Sequence, residues 1–107
     1  MTYLTWLIFL AAAALEVAGD AVIRKGLHGG GWLFIGAGVC ALGGYGIVVN
    51  TVRWDFSKLL GVYVAVFAAV SVLCGRFIFR ENVPASTWIG LAIIMAGGLV
   101  IQFGKAL

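Results

Sequence analysis

The stretch that decides the fold runs from Tyr3 to Ile23 and reads YLTWLIFLAAAALEVAGDAVI. Apart from Glu16 and Asp20 it is almost wholly apolar, and at 1.5 Å of rise per residue a helix of this length is about long enough to cross a bilayer. Hydrocarbon offers the backbone no hydrogen-bonding partners, and a helix satisfies them internally. We therefore predict a membrane-spanning helix that carries two carboxylates.

The rest of the chain has the same character. Its 107 residues are 64% hydrophobic and 10% charged, whereas soluble domains carry about 25% charged residues. So short a chain cannot hide this much apolar surface in its own interior, because small domains bury proportionally less of their surface. The expected surrounding is therefore a lipid bilayer. The net charge of +3 is spread over short loops, and we expect no nucleic-acid partner.

Short polar breaks divide the chain into four apolar runs. The breaks contain charges, glycines or a proline, which are typical of helix ends, and Pro84 suits the first turn of the last helix. The sequence therefore predicts an all-α membrane protein, with residues 1–107 forming one domain of four transmembrane helices. The expected helices cover residues 3–23, 32–52, 58–79 and 85–104.

Lys and Arg residues, which favour the cytoplasmic side of a membrane, are divided almost evenly between the two ends of these helices. Four fall at one end and three at the other: Arg24, Lys25, Arg76 and Arg80 against Arg53, Lys58 and Lys105. This weak bias leaves the orientation of the chain in the membrane open.

Glu16 lies near the middle of the first predicted helix, and Asp20 lies one turn nearer to its end. A charge at the bilayer centre costs roughly 2.5 to 3.5 kcal/mol on insertion scales, and residues found there usually have a function. Because hydrocarbon favours the neutral carboxyl, we expect Glu16 to bind protons. A cationic substrate is expected to compete with the proton for this carboxyl. Asp20 either joins this site or forms an ion pair with Arg24, one turn further on.

No pattern in the chain indicates an enzyme. There is no nucleophile beside a base, no phosphate-binding loop and no cluster of metal ligands, and His28 is the single histidine. We therefore expect no catalytic residues, no metal and no cofactor. The polar residues Asn50, Thr51, Ser57 and Ser71 can hydrogen-bond between helices or line a path, and helix packing is the expected role of each.

Two motifs carry a resemblance to a known family. One is Leu15-Glu16-Val17-Ala18-Gly19, and the other is GLAIIMAGG, from Gly90 to Gly98. In both, the chain resembles the small multidrug resistance family of the drug/metabolite transporter superfamily, over essentially its full length. The resemblance implies a proton-coupled secondary transporter that exports a small cationic or amphiphilic compound by alternating access, with Glu16 as the proton and substrate site. It also implies a multi-pass protein of the inner (plasma) membrane of a prokaryote.

The spaced glycines of the fourth predicted helix match the dimer-contact pattern of the same family. The resemblance thus implies a homodimer, with Gly90, Gly97 and Gly98 at the interface. Small residues on one helix face allow two helices to approach closely in lipid. Whether the two copies are parallel or antiparallel stays open.

The third predicted helix departs from the drug exporters of that family, which carry a Tyr and a Trp three residues apart beneath the substrate. One alignment places Leu60 and Tyr63 at these positions, and another places Val64 and Phe67 there. Neither restores the pair, and Tyr63 and Phe67 remain the aromatic candidates for contact with the substrate.

A second comparison within the superfamily concerns Val17-Ala18-Gly19-Asp20. This stretch is similar to the corresponding part of flippase subunits that move undecaprenyl-linked aminoarabinose, although those relatives lack the glutamate that this chain has at position 16. A flippase for a lipid-linked substrate is therefore an alternative function. A structural protein of membrane assemblies is a second alternative, but it does not explain why Glu16 lies deep in a membrane-spanning helix.

Overall fold

The computed structural model describes residues 3–104, which form four α-helices. Each helix is long and apolar enough to cross a membrane, which confirms the predicted all-helical architecture. The helices are α1 (Tyr3–Lys25), α2 (Trp32–Val49), α3 (Phe56–Phe77) and α4 (Ala85–Phe103). The chain divides into two compact units, Met1–Arg53 and Trp54–Leu107, and each contains one helical hairpin. A single domain over residues 1–107 stays a prediction.

In the first unit, α1 and α2 pack against each other through glycines. A β-carbon added to Gly38 would lie 2.7 Å from the carbonyl oxygen of Gly19, and one added to Gly19 would lie 3.1 Å from the carbonyl oxygen of Gly38. Both glycines are buried. Further along α2, Gly44 lies against Leu15, so the two helices run antiparallel. The backbones thus approach as closely as small residues permit, which is a common way of packing helices in lipid.

A tight glycine-rich turn joins α1 to α2. It begins as a single π-helical turn, Gly26–Gly30, and the Gly31 N–H donates to the Gly26 carbonyl oxygen at 3.1 Å. Gly29 (φ 109°) and Gly31 (φ 92°) have backbone conformations that residues with a side chain rarely adopt. The turn therefore depends on glycine at these two positions.

In the second unit, α4 packs on α3, again through small residues. A β-carbon on Gly98 would lie 2.7 Å from the β-carbon of Ala65, and one on Gly61 would lie 2.7 Å from Cδ1 of Ile101. The reversed order of these pairs shows that α3 and α4 are antiparallel. The buried residues of α3 include Leu59, Val62, Tyr63 and Ala65.

Three of these polar side chains donate to nearby backbone carbonyl oxygens of α2 or α3 and not to a neighbouring helix. Asn50 Nδ2 donates to the Gly46 carbonyl oxygen at 2.7 Å, and Thr51 Oγ1 donates to the Val48 carbonyl oxygen at 2.7 Å. Ser71 Oγ donates to the carbonyl oxygen of Ala68 at 3.0 Å. Short polar side chains reach carbonyls three or four residues earlier without help from a neighbouring helix.

Helix ends differ from the expected ones by up to three residues. α2 ends at Val49 and not at residue 52, because the side chains of the two polar residues after it take up carbonyl oxygens of its last turn. α3 begins at Phe56, directly after Asp55, whose backbone is extended (ψ 142°) and whose carbonyl oxygen accepts from Leu59 N–H at 2.8 Å.

We expect Gly38→Ala to destabilise the protein, because the added methyl group would meet the backbone of α1 at Gly19 and the side chain of Ile23. Overpacking of this kind costs about 1–3 kcal/mol. Gly36→Ala is the matched control on the same helix, since a β-carbon at Gly36 has nothing within 4 Å. Thermal melting in detergent, followed by circular dichroism, should show a lower midpoint for Gly38→Ala only. Equal losses in both variants would contradict the assigned contact.

Candidate functional site

Glu16 occupies a face of α1 that is otherwise lined by small buried residues. Ala12, Ala13 and Gly19 lie three or four residues from it and are buried, so they share its side of the helix. The side chain of Glu16 is itself partly buried. Three small residues of the sequence thus share the side of α1 on which this carboxyl lies.

The neighbour of Glu16 on α2 is Tyr45. Both residues lie in the hairpin whose antiparallel packing sets Gly44 against Leu15. The two side chains are close enough to interact electrostatically, and Tyr45 is also partly buried. A phenol hydroxyl can donate a hydrogen bond to an ionised carboxylate or accept one from a protonated carboxyl. The pair can therefore hold a proton, or a negative charge, within the length of a membrane-spanning helix.

Tyr45 was not among the site residues predicted from the sequence. Counting equal distances from the turn does not find it, because the residue as far into α2 as Glu16 lies from the end of α1 is Ala41. The exact register, however, is set by the contact between Gly19 and Gly38. A hydrophobic pattern alone does not give this contact.

Asp20 lies one turn after Glu16, and its side chain is exposed, as is that of Arg24. An ion pair between Asp20 and Arg24 stays a prediction.

Tyr63 and Phe67 lie one turn apart on α3, in the second unit. Their rings stack with centroids 6.4 Å apart and an angle of 29° between the planes. Tyr63 is buried, with 3% of its surface exposed, and Phe67 is partly buried. The stack gives these rings a packing role inside the unit, and a contact with substrate stays a prediction.

The three glycines predicted at a dimer interface have two different environments. Gly98 is buried against Ala65 of α3, so it serves the packing of the hairpin. Around Gly90 and Gly97, in contrast, a β-carbon would have nothing within 4 Å. Next to these two positions Ile89 and Ile93 are 62% and 67% exposed. An interface between two copies stays a prediction, and it now concerns Gly90 and Gly97.

Comparison with known proteins finds relatives over nearly the whole chain. A UPF0060 membrane protein of Mycolicibacterium gilvum (strain PYR-GCK) is 34% identical over 101 residues, which are 91% of this chain and 92% of the relative. Similar proteins of Streptomyces avermitilis and Rhodococcus jostii (strain RHA1) are 38% and 41% identical over 101 residues, covering 90% of this chain and 88% and 90% of their own. No family model and no solved structure matches. The chain belongs to the UPF0060 family of membrane proteins.

Proposed function

We propose that this protein is a secondary active transporter that exports a small cationic or amphiphilic compound in exchange for protons. The observation that carries the proposal is Glu16, a partly buried carboxyl within a membrane-length helix and beside Tyr45. An ionisable residue at such a depth is expensive and is a functional site by default. The resemblance to the small multidrug resistance family supports the same function, whereas the names of the UPF0060 relatives state only that they are membrane proteins.

The proposed mechanism is competition for one carboxyl. A proton neutralises Glu16, whereas a substrate cation balances the charge of the ionised carboxylate. Binding of either ligand therefore weakens binding of the other. Tyr45 can donate a hydrogen bond to the ionised form and thereby hold the carboxylate while the proton is absent. If the site opens to one side of the membrane at a time, this competition couples proton entry to substrate export.

We further propose that the working form is a homodimer in the inner membrane of a prokaryote. Four helices enclose little space, so a second copy would supply the remaining walls of a substrate cavity. Gly90 and Gly97 support this proposal, since both are open to a neighbouring helix. Two Glu16 carboxyls in one cavity would repel each other when ionised, which favours the binding of at least one proton or cation.

A flippase for a lipid-linked substrate is the second candidate. Asp20 favours it, because its carboxylate is exposed within a span, where the polar head of a lipid could reach it. Transport of a lipid would then depend on Asp20 as well as on Glu16. Proton-coupled export of a small cation depends chiefly on Glu16, and a structural membrane protein depends on neither carboxylate.

Glu16→Gln should abolish proton release when candidate cations are added to the detergent-solubilised protein. Gln has the shape of Glu but can neither release a proton nor balance a cation, so the variant should fold normally. Asp20→Asn is the matched control, one turn away on the same helix, and should retain most of the release. If Glu16→Gln released protons like the parent, Glu16 would be structural and the proposal wrong. Loss in both variants would favour the flippase.

Tyr45→Phe should weaken substrate-driven proton release without unfolding the protein. The ring and its packing are kept, and only the hydroxyl that stabilises the Glu16 carboxylate is lost. Hydrogen bonds to charged groups contribute about 1.5–3 kcal/mol, so we expect the apparent affinity for the substrate to fall by roughly ten- to a hundredfold. Tyr3→Phe is the control, because Tyr3 is 90% exposed. Unchanged affinity in Tyr45→Phe would show that the neighbouring phenol is irrelevant to the site.

Gly97→Leu should weaken the dimer by roughly tenfold, since a large side chain prevents the close approach that glycine allows. Ala92→Leu is the control, because Ala92 is exposed on another face of α4. The monomer–dimer equilibrium in lipid, measured by energy transfer between labelled copies, should shift toward monomer for Gly97→Leu alone. An identical equilibrium in both variants would exclude Gly97 from the interface.

A further inference from the structure

The segment between α3 and α4 folds back over the end of α3. The N–H groups of Ile78 and Phe79 both donate to the Cys74 carbonyl oxygen, at 2.9 and 3.0 Å. Arg80 then has a positive φ of 56°, and the Glu81 N–H donates to the Gly75 carbonyl oxygen at 2.9 Å. This reversal returns the chain to the last turns of α3.

The same reversal brings the exposed side chain of Glu81 over Gly75. Its Oε1 lies 2.6 Å from the position that a β-carbon on Gly75 would occupy. Gly75 is buried beneath it. The backbone bond to Gly75 and the missing side chain at position 75 together allow the Glu81 carboxylate to lie against α3.

A cavity of about 220 Å³ opens beside this carboxylate. Ser71 and Val72 of α3 line one part, Glu81, Asn82 and Val83 line another, and the start of α4 closes it with Pro84 and Thr87. Because the hydroxyl proton of Ser71 is donated to the Ala68 carbonyl oxygen, its lone pairs remain to accept a hydrogen bond. The lining therefore combines one carboxylate, further oxygen acceptors and three aliphatic side chains. It includes neither a Lys or Arg nor an aromatic ring.

We propose that this cavity binds a primary ammonium group carried on a short aliphatic chain. A primary ammonium has three N–H donors. The Glu81 carboxylate can accept one of them, and the oxygen atoms of Ser71, Asn82 and Thr87 can accept the others. Val72 and Val83 provide the apolar contact for the chain. The volume is several times the roughly 30 Å³ that one water occupies in the liquid, so an ammonium and several methylenes fit.

Other ligand classes fit this lining less well. A quaternary ammonium has no N–H donor and is bound chiefly by aromatic faces, which the lining lacks. A calcium ion takes six to eight oxygen ligands, usually from several carboxylates, and the lining has a single carboxylate. An anion would be repelled by the Glu81 carboxylate, because both carry negative charge. The site lies within residues 71–87 and includes no residue of α1, so it goes beyond the proposed exchange at Glu16.

The test is calorimetric binding of hexylammonium to the full chain in phosphatidylcholine nanodiscs, in a Glu16→Gln background that removes the proposed exchange site. We expect saturable binding there, and binding of hexyltrimethylammonium at least about tenfold weaker. Adding Glu81→Gln should weaken hexylammonium binding by about tenfold, because it removes the charged acceptor. The matched control Asp55→Asn removes an exposed carboxylate from another loop and should change nothing. Loss of proton release in Glu16→Gln reports separately on the proposed function.

Gly75→Ala is a second variant that separates binding from folding. Its methyl group would take the place of the Glu81 carboxylate oxygen and move it away, whereas alanine favours the helix by about 1 kcal/mol over glycine. Weaker hexylammonium binding with an undiminished melting temperature supports the site. Phosphatidylethanolamine nanodiscs show whether lipid head groups supply the ammonium, since they would then compete. Full hexylammonium affinity in Glu81→Gln, or equal affinity for the quaternary analogue, would overturn the proposal.

Discussion

The structure depends on one constraint: hydrocarbon offers the backbone no hydrogen-bonding partner and solvates a charge poorly. The constraint makes all four long apolar runs helical, and it favours glycine contacts over large side chains where helices meet. It places most charges at helix ends, where Lys25 and Lys58 lie over the rings of Phe34 and Trp54. The same constraint makes the carboxyl of Glu16 exceptional, because it remains within a span at a cost in free energy.

Packing and chemistry are linked in the first hairpin. The backbone contact between Gly19 and Gly38 sets how α2 lies along α1, and in this hairpin Tyr45 is close enough to Glu16 to interact with it electrostatically. Small residues around Glu16 leave its carboxyl partly accessible, as a site that must exchange ligands requires. The second hairpin uses the same kind of contact at Ala65 and Gly98, and its connecting segment forms a separate polar cavity. Glycine thus determines the geometry of both candidate sites.

The sequence alone predicted the helices because each apolar run is long and is bounded by glycine, proline or charge. It did not predict Tyr45, since pairing across a hairpin depends on contacts between residues distant in sequence. The sequence does not distinguish Gly97 from Gly98. Only the contact with Ala65 shows that Gly98 packs inside the hairpin. Asp20 and Arg24 have favourable spacing and exposed side chains, and their ion pair stays a prediction. The family was found by comparison with known proteins. The function remains a proposal that rests on the chemistry of the Glu16 carboxyl.

The most direct measurement of the central claim uses the fact that the chain has two glutamates, Glu16 and Glu81. With ¹³C-labelled glutamate, carboxyl NMR of the protein in lipid should give two signals, and Glu81→Gln identifies the one from Glu16. The account predicts that Glu16 is protonated without substrate and that its signal moves to the ionised position as a transported cation is added. If the Glu16 signal kept its position when cations were added, whether that position is the protonated or the ionised one, the account would be contradicted.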